Sequence, residues 1–333
     1  MQLKSTVKQI LSDENIYEDL INSASEHLSV TKNSYFQPTL TVAQFRSEIE
    51  TYDPELTSPG LTEFESIILR IGRPVLLVKN NSFVLDAPTF SEPESQAWKD
   101  VLEASRSNLE IAIPAVGRIE VEENPQMNWA GTGWLVAEDI IVTNRHVARV
   151  FARKDGEAFR FSRNFSGRLM EGIIDFREEL GIDDQSEFKL LKVLYIADDE
   201  DADIAFFQVE RTSSGLSLTQ PLPLSNAVVT EGMKIATIGY PAADSRVADP
   251  NLMRRIFGNV YDVKRMAPGE IIGLDPSGIL KHDCSTLGGN SGSVLLDLDT
   301  GNAIGLHFAG AFMQANYAVP SSVIIDRLND LPL

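Results

Sequence analysis

The chain has 333 residues, enough for two domains, and 43% of them are hydrophobic, an ordinary globular share. A net charge of −19 at pH 7 argues against nucleic acid or an anionic membrane as the main partner. The single cysteine, Cys284, excludes an internal disulfide, and no apolar run reaches the ~18 residues that a membrane span requires. The opening residues Met1-Gln2-Leu3-Lys4-Ser5-Thr6-Val7-Lys8 lack the apolar core of a secretion signal, so the sequence predicts a cytoplasmic location.

Residues 1–105 read as a small α+β domain of their own. Val7, Ile10, Leu11, Ile16, Leu20, Ile21 and Leu28 recur at helical spacing, and Ser58-Pro59-Gly60 breaks the chain. Thr62 to Ile71 starts like a capped helix. Pro74-Val75-Leu76-Leu77-Val78, the pair Asn80-Asn81 and Ser82-Phe83-Val84-Leu85 read as a β-hairpin. Ser91-Glu92-Pro93-Glu94 then opens a helix that runs to about Ser107. Nothing in this third of the chain suggests catalysis; docking of a protein activator or inhibitor and bracing of the rest are both plausible roles.

From Pro114 onward the pattern changes to short strands. Pro114-Ala115-Val116-Gly117-Arg118-Ile119-Glu120-Val121 reads as the first of them. Gly131-Thr132-Gly133-Trp134-Leu135-Val136 and Ile140-Ile141-Val142-Thr143 follow, with Asn144-Arg145-His146-Val147-Ala148 directly after. Further on, Asp203 opens the run Ile204-Ala205-Phe206-Phe207-Gln208-Val209. It stands just beyond the acidic stretch Asp198-Asp199-Glu200-Asp201, and Asp201 takes its place if the register is off by two. Gly288-Gly289-Asn290-Ser291-Gly292-Ser293 then puts a serine on a glycine-rich turn before Val294-Leu295-Leu296, with Ser293 as the alternative hydroxyl. A serine is a poor nucleophile at neutral pH and needs a base, which itself needs an orienting acid. His146, Asp203 and Ser291 supply these groups in that chain order.

The blocks Gly-Thr-Gly-Trp…Thr-Asn-Arg-His-Val, Asp-Ile-Ala and Gly-Gly-Asn-Ser-Gly-Ser resemble the three signatures of trypsin-like serine peptidases. The bacterial branch with the glutamyl endopeptidases and the high-temperature-requirement proteases is the most similar. The likeness covers roughly residues 110–333. It implies a mainly β protein, a chymotrypsin-like double six-stranded β-barrel over 106–333 with the small α+β domain before it. It implies a serine endopeptidase of protein substrates, with His146, Asp203 and Ser291 as the catalytic triad and the N–H groups of Gly289 and Ser291 as the oxyanion hole. No cofactor and no metal are implied. Asn290 stands where digestive zymogens carry an aspartate, so activation by a freshly cut N-terminus is not expected. His307, Thr286 and Ser285 match specificity-pocket positions. A histidine with hydroxyls suits Glu or Asp before the scissile bond, or equally a neutral Gln, or His307 is simply a core residue. No carboxylate stands near Ser285, which disfavours cleavage after Arg or Lys.

Two stretches are long for barrel loops: the one containing Asp155 to Asp184, and Pro241 to Pro268 with Arg246, Arg254, Arg255, Lys264 and Arg265. The second is expected to gate the site or dock an acidic partner. The rival to an enzyme is a binding scaffold in which the triad is present but the oxyanion hole has collapsed. An esterase of the α/β-hydrolase kind is disfavoured by the reversed triad order.

Overall fold

A computed structural model describes residues 73–85, 93–156, 158–243, 250–311 and 315–331. The helices expected over 7–28 and 62–71 lie outside these residues. A hairpin comes first, β1 (Leu76–Lys79) and β2 (Ser82–Phe83), and its turn residues Asn80 and Asn81 both have positive φ, 53° and 57°. That is the geometry of a tight I′ turn, which asparagine tolerates. Two helices follow, Pro93–Ala104 and Arg106–Ala112, where the sequence suggested one.

The first barrel is built from β3 (Val116–Glu122), β4 (Trp129–Ala137), β5 (Ile140–Thr143), then, past a small hairpin β6 (Ala152–Asp155) and β7 (Ala158–Phe161), from β8 (Glu171–Asp175), β9 (Glu187–Ile196) and β10 (Ala205–Val209). These six close in the order β10-β5-β4-β3-β8-β9. The expected long loop around 155–184 therefore holds two hairpin strands and a barrel strand. After a minor hairpin, β11 (Thr212–Ser213) and β12 (Leu216–Ser217), come β13 (Lys234–Gly239), β14 (Arg265–Leu274), β15 (Leu280–His282), β16 (Val294–Asp297), β17 (Ala303–Ala311) and β18 (Ala315–Pro320). They run β13-β16-β17-β18-β15-β14, and pairing of β14 with β13 closes the second six-stranded barrel. Helix Ser321–Asn329 ends the described chain.

β-Branched and aromatic side chains fill both interiors, since they fit a pleated surface buried on one face. Trp134, Phe206 and Phe207 are fully buried in the first barrel, and Ile235, Ile271, Leu295 and Ile304 cluster in the second.

The hairpin does not fold apart from the barrels. β1 adds to β14 through the pairs Leu76↔Met266 and Leu77↔Arg265. Leu76, Val78, Phe83, Trp98, Leu102 and Leu109 join the apolar cluster that contains Trp134 and Leu306. The described residues from 73 on group in one compact unit, so the hairpin and the two helices pack with the barrels rather than with a separate module. The reason is apolar surface: these segments carry large side chains and bury them only against the barrel.

The expected basic loop from 241 to 268 is corrected in the same way. It contains helix Pro250–Phe257, and its last two cations point inward. Arg265 donates to the carbonyls of Val75, Leu76, Phe257 and Val260. Lys264 donates to Ile113 O (3.0 Å) and Phe176 O (2.7 Å) with no exposed surface, tying the post-helical turn to the first barrel. Burial pushes the Lys264 amine down to about 8, against the pull of Glu179 and Asp175. Between that value and the unfolded 10.5 the unfolded chain holds more protons, so stability rises with pH across this window. Denaturant unfolding should show a gain of up to roughly 3 kcal/mol across it. The Lys264→Met variant should lack that component; equal pH slopes in the two proteins would refute the assignment.

Candidate active site

β5 delivers Thr143 and Asn144 to the barrel rim, and the single helical turn Arg145–Ala148 then presents His146. The turn that carries Asp203 is held against it from several sides. Asn144 Nδ2 donates to Asp203 O (3.0 Å), and His146 N donates to Asp203 Oδ1 (3.2 Å). His146 Nδ1 lies 2.6 Å from Asp203 Oδ2, and its Nε2 lies 2.7 Å from Ser291 Oγ. One barrel thus supplies the imidazole and carboxylate, and the other the hydroxyl.

Arg145 explains how an aspartate beside so many acids is positioned. Its guanidinium is nearly buried and donates to Asp198 O (2.6 Å) and Asp201 O (3.0 Å), with Asp203 Oδ1 at 3.9 Å. Lys154 pairs with Asp198, Arg149 with Asp199, and Arg327 with Asp201. The acidic run is a neutralised clamp, and Asp201, the alternative to Asp203, is engaged at the surface with Arg327. Burial pushes the Asp203 carboxyl up, but the charge and hydrogen bonds of His146 and the charge of Arg145 outweigh it and hold the group below its ordinary value.

Ser291 sits on two consecutive turns. Asn290 N donates to Leu287 O (3.1 Å), and Gly289, third in that turn, has φ of +88°, the geometry of a type II turn. A Cβ there would lie 2.4 Å from Trp129 Cη2 and from Tyr240 O. Gly292, at φ +89°, has the carbonyl of Thr132 where its Cβ would be, at 1.9 Å. Both positions therefore require glycine. Gly288 O accepts from Ala242 N. In a trans peptide the next N–H points the opposite way, so Gly289 N–H is directed away from Ala242.

Thr132 of β4 fastens this turn to the first barrel. Its N–H donates to Ser291 O (2.8 Å), and its Oγ1 donates to Gly289 O (2.8 Å) and accepts from Tyr240 N (3.2 Å). Thr143 Oγ1 donates to Thr132 O (2.7 Å). Asn290, where an ion pair would form in a zymogen, is pinned by its own amide to Leu287 O (3.1 Å). Ser293, the alternative hydroxyl, is buried and donates to Asn290 Oδ1 (3.3 Å).

The three specificity candidates are all buried. His307 Nδ1 lies 3.2 Å from His282 Nε2, a neighbour in β15 that the sequence did not single out. Burial lowers His307 to about 3, helped by the charge of His146 and opposed by a backbone hydrogen bond at Tyr317. Burial, then His307, takes His282 well below its ordinary value. The two rings are a neutral pair. Ser285 Oγ donates to Arg73 O (3.3 Å), and Thr286 lies beside it with no exposed surface. Cys284 is buried, and burial raises its thiol well above the usual range. Away from this site, the carboxylates of Glu120, Asp175 and Glu178 come within 4.8 Å of one another, and Arg118 pairs with Glu120 and Glu178. That guanidinium supplies the compensating charge there.

Thr132, Arg145 and His282 were the residues that sequence reasoning missed. Thr132 and Arg145 lie inside quoted motifs, but threonine in a strand and arginine in a turn carry no signal of their contacts. His282 lies between Lys281 and Asp283, charged neighbours that give no sign of a buried ring.

Among the described residues no helix is long and apolar enough to cross a membrane. A family model for the trypsin-like peptidase domain matches residues 131–306. A curated protein of Lysobacter enzymogenes, described as a probable serine protease, is 31% identical over 256 residues, 68% of this chain and 65% of that protein, so the chain spans just under two thirds of that relative. A crystal structure of the serine endoprotease from Yersinia pestis is similar over 68% of this chain and 65% of that one, with 16% identity and a TM-score of 0.46.

The histidine pair gives a measurable consequence. His307 and His282 should not titrate in NMR spectra of the folded protein between about pH 5 and 8. The unfolded chain takes up their protons below 6.5, so they contribute stability that is present above 6.5 and lost as pH falls toward the folded values, about 3 for His307. Ring signals of either residue that move with a midpoint near 6.5 would contradict this placement.

Proposed function

The chain belongs to the trypsin-like peptidase family, and on that premise we propose that it is a serine endopeptidase acting on protein substrates through His146, Asp203 and Ser291. The observation that carries this reading is the unbroken hydrogen-bonded line from Asp203 Oδ2 through His146 to Ser291 Oγ, at 2.6 and 2.7 Å.

Ser291 Oγ attacks the carbonyl carbon of the scissile bond while His146 Nε2 takes its proton. Asp203 holds the Nδ1–H tautomer and stabilises the imidazolium that forms. The imidazolium then protonates the leaving amine, and water, deprotonated by the same nitrogen, releases the acyl group. The N–H groups of Gly289 and Ser291 receive the oxyanion. Gly288 O anchored on Ala242 N supports that role, because it turns the Gly289 N–H away from the anchor. A scaffold with a collapsed hole would need this peptide reversed. Losing one such donor costs ~10²–10³ in rate.

The preference before the scissile bond is assigned to His307, Thr286 and Ser285, for Gln or for Glu and Asp. With Nδ1 facing His282, His307 meets a substrate through Nε2, a donor or an acceptor according to the tautomer; as a donor it serves the carboxamide oxygen of Gln or a carboxylate oxygen of Glu or Asp. The narrow choice suits a chain in which the pocket residues are packed rather than open.

Wild type and Ser291→Ala are incubated with a diverse peptide pool, and the cut sites are read by mass spectrometry. Turnover should fall by ~10⁶ in the variant, as in other triads. Cuts at equal rates in both proteins would end this reading, and cuts clustered after other residue types would remove the pocket assignment while leaving the triad.

A further inference from the structure

The segment before the first barrel runs beneath the residues assigned to the specificity pocket. Arg73 stands just ahead of β1. Its Nη2 lies 2.7 Å from Asp283 Oδ2 and 3.3 Å from Glu270 Oε2, and Nε also reaches Asp283, at 3.3 Å. The Trp98 ring covers the guanidinium, with Cζ 4.6 Å from the ring centroid. Asp283 is buried, and its other oxygen accepts from Glu270 N (2.7 Å), so the residue is fixed from both sides. Asp283 is followed by Cys284, Ser285 and Thr286, and the carbonyl of Arg73 itself receives the Ser285 hydroxyl.

The contact continues along the strand. Arg265 binds the carbonyls of Val75 (2.7 Å) and Leu76 (3.0 Å). Val75, Ser285 and Asn290 line one closely packed gap, together with Thr237 and Phe257. Residues 73–76 therefore lie against the pocket base, and Val75 lines the same gap as Asn290, next to Ser291.

We propose that Arg73 is a positioning residue for substrate specificity: its ion pair with Asp283 and its carbonyl on Ser285 hold the 283–286 segment in the shape that receives the substrate side chain. This rests on the peptidase reading and on the pocket assignment above. A buried aspartate without its cation is strongly unfavourable, because the carboxylate keeps its desolvation cost and loses its partner. Loss of Arg73 thus shifts Asp283, and Ser285 moves with it. The Arg73 side chain bonds to Asp283 and Glu270 and its carbonyl to Ser285, none of them a member of the triad, so the acyl-transfer groups should keep their geometry.

The test compares wild type, Arg73→Met and Arg73→Lys as full chains, using two probes. One is the best-cut peptide of the pool; the other is a small alkyl fluorophosphonate, which phosphonylates the serine with loss of fluoride but has no side chain for the pocket. Arg73→Met should raise the peptide KM by ~10-fold or more and broaden the cut-site preference, while the fluorophosphonate rate changes by less than about threefold. Arg73→Lys keeps the charge without the planar fork and should recover part of the lost affinity. Peptide kinetics unchanged in Arg73→Met would overturn the proposal. So would equal losses with both probes and no recovery in Arg73→Lys, which is the signature of general unfolding. If wild type takes no fluorophosphonate, the peptidase reading falls, and with it the premise on which this role stands.

Discussion

Thr132 is the point on which the two barrels agree. The proposed nucleophile on one barrel and its proposed base on the other must meet within hydrogen-bond range, and Nε2 to Oγ is 2.7 Å. Such precision across a domain seam needs directional bonds near the meeting point. Thr132 provides them: its N–H holds Ser291 O, its hydroxyl holds Gly289 O, and its carbonyl accepts from Thr143, next to Asn144 and three residues before His146. Each buried polar group left unmet there would cost ~1–3 kcal/mol, so the seam resists sliding. The glycines at 289 and 292 complete the fit, since any side chain would collide with Trp129 or with Thr132 itself.

Electrostatics in this acidic chain are arranged around scarce cations. With 29 Lys and Arg against 48 Asp and Glu, unpaired acid is inexpensive at the surface and costly inside. The cations are placed accordingly. Arg145, Arg149, Lys154 and Arg327 bind the loop that leads to Asp203, while Arg73, Lys264 and Arg265 are buried or nearly so where the segment from 73 onward meets the barrels. Net charge says nothing of this; placement decides it.

How much of this was legible depends on how local the cause is. The serine turn, the histidine after β5 and the aspartate before β10 are each set by a few neighbouring residues, and the barrel that joins them follows from short strands with alternating burial. The Asn80-Asn81 hairpin was equally readable, because its turn conformation belongs to the residues themselves. Its destination was not: pairing of Leu76 with Met266 links positions far apart in the chain and leaves no local mark. The same holds for Lys264 and Arg265, which looked like surface charge in a loop and are internal donors to backbone carbonyls. His307 was found through family likeness, but its ring partner His282 became visible only once β15 and β17 were both paired to β18.

The account stands on Ser291 being a nucleophile activated by His146. The most direct measurement is peptide mapping by mass spectrometry after brief exposure of the native protein to a fluorophosphonate, for wild type and His146→Ala side by side. The account predicts a single adduct on Ser291 in wild type and almost none in the variant. An adduct on Ser293 or elsewhere, or equal labelling of Ser291 without His146, would contradict it.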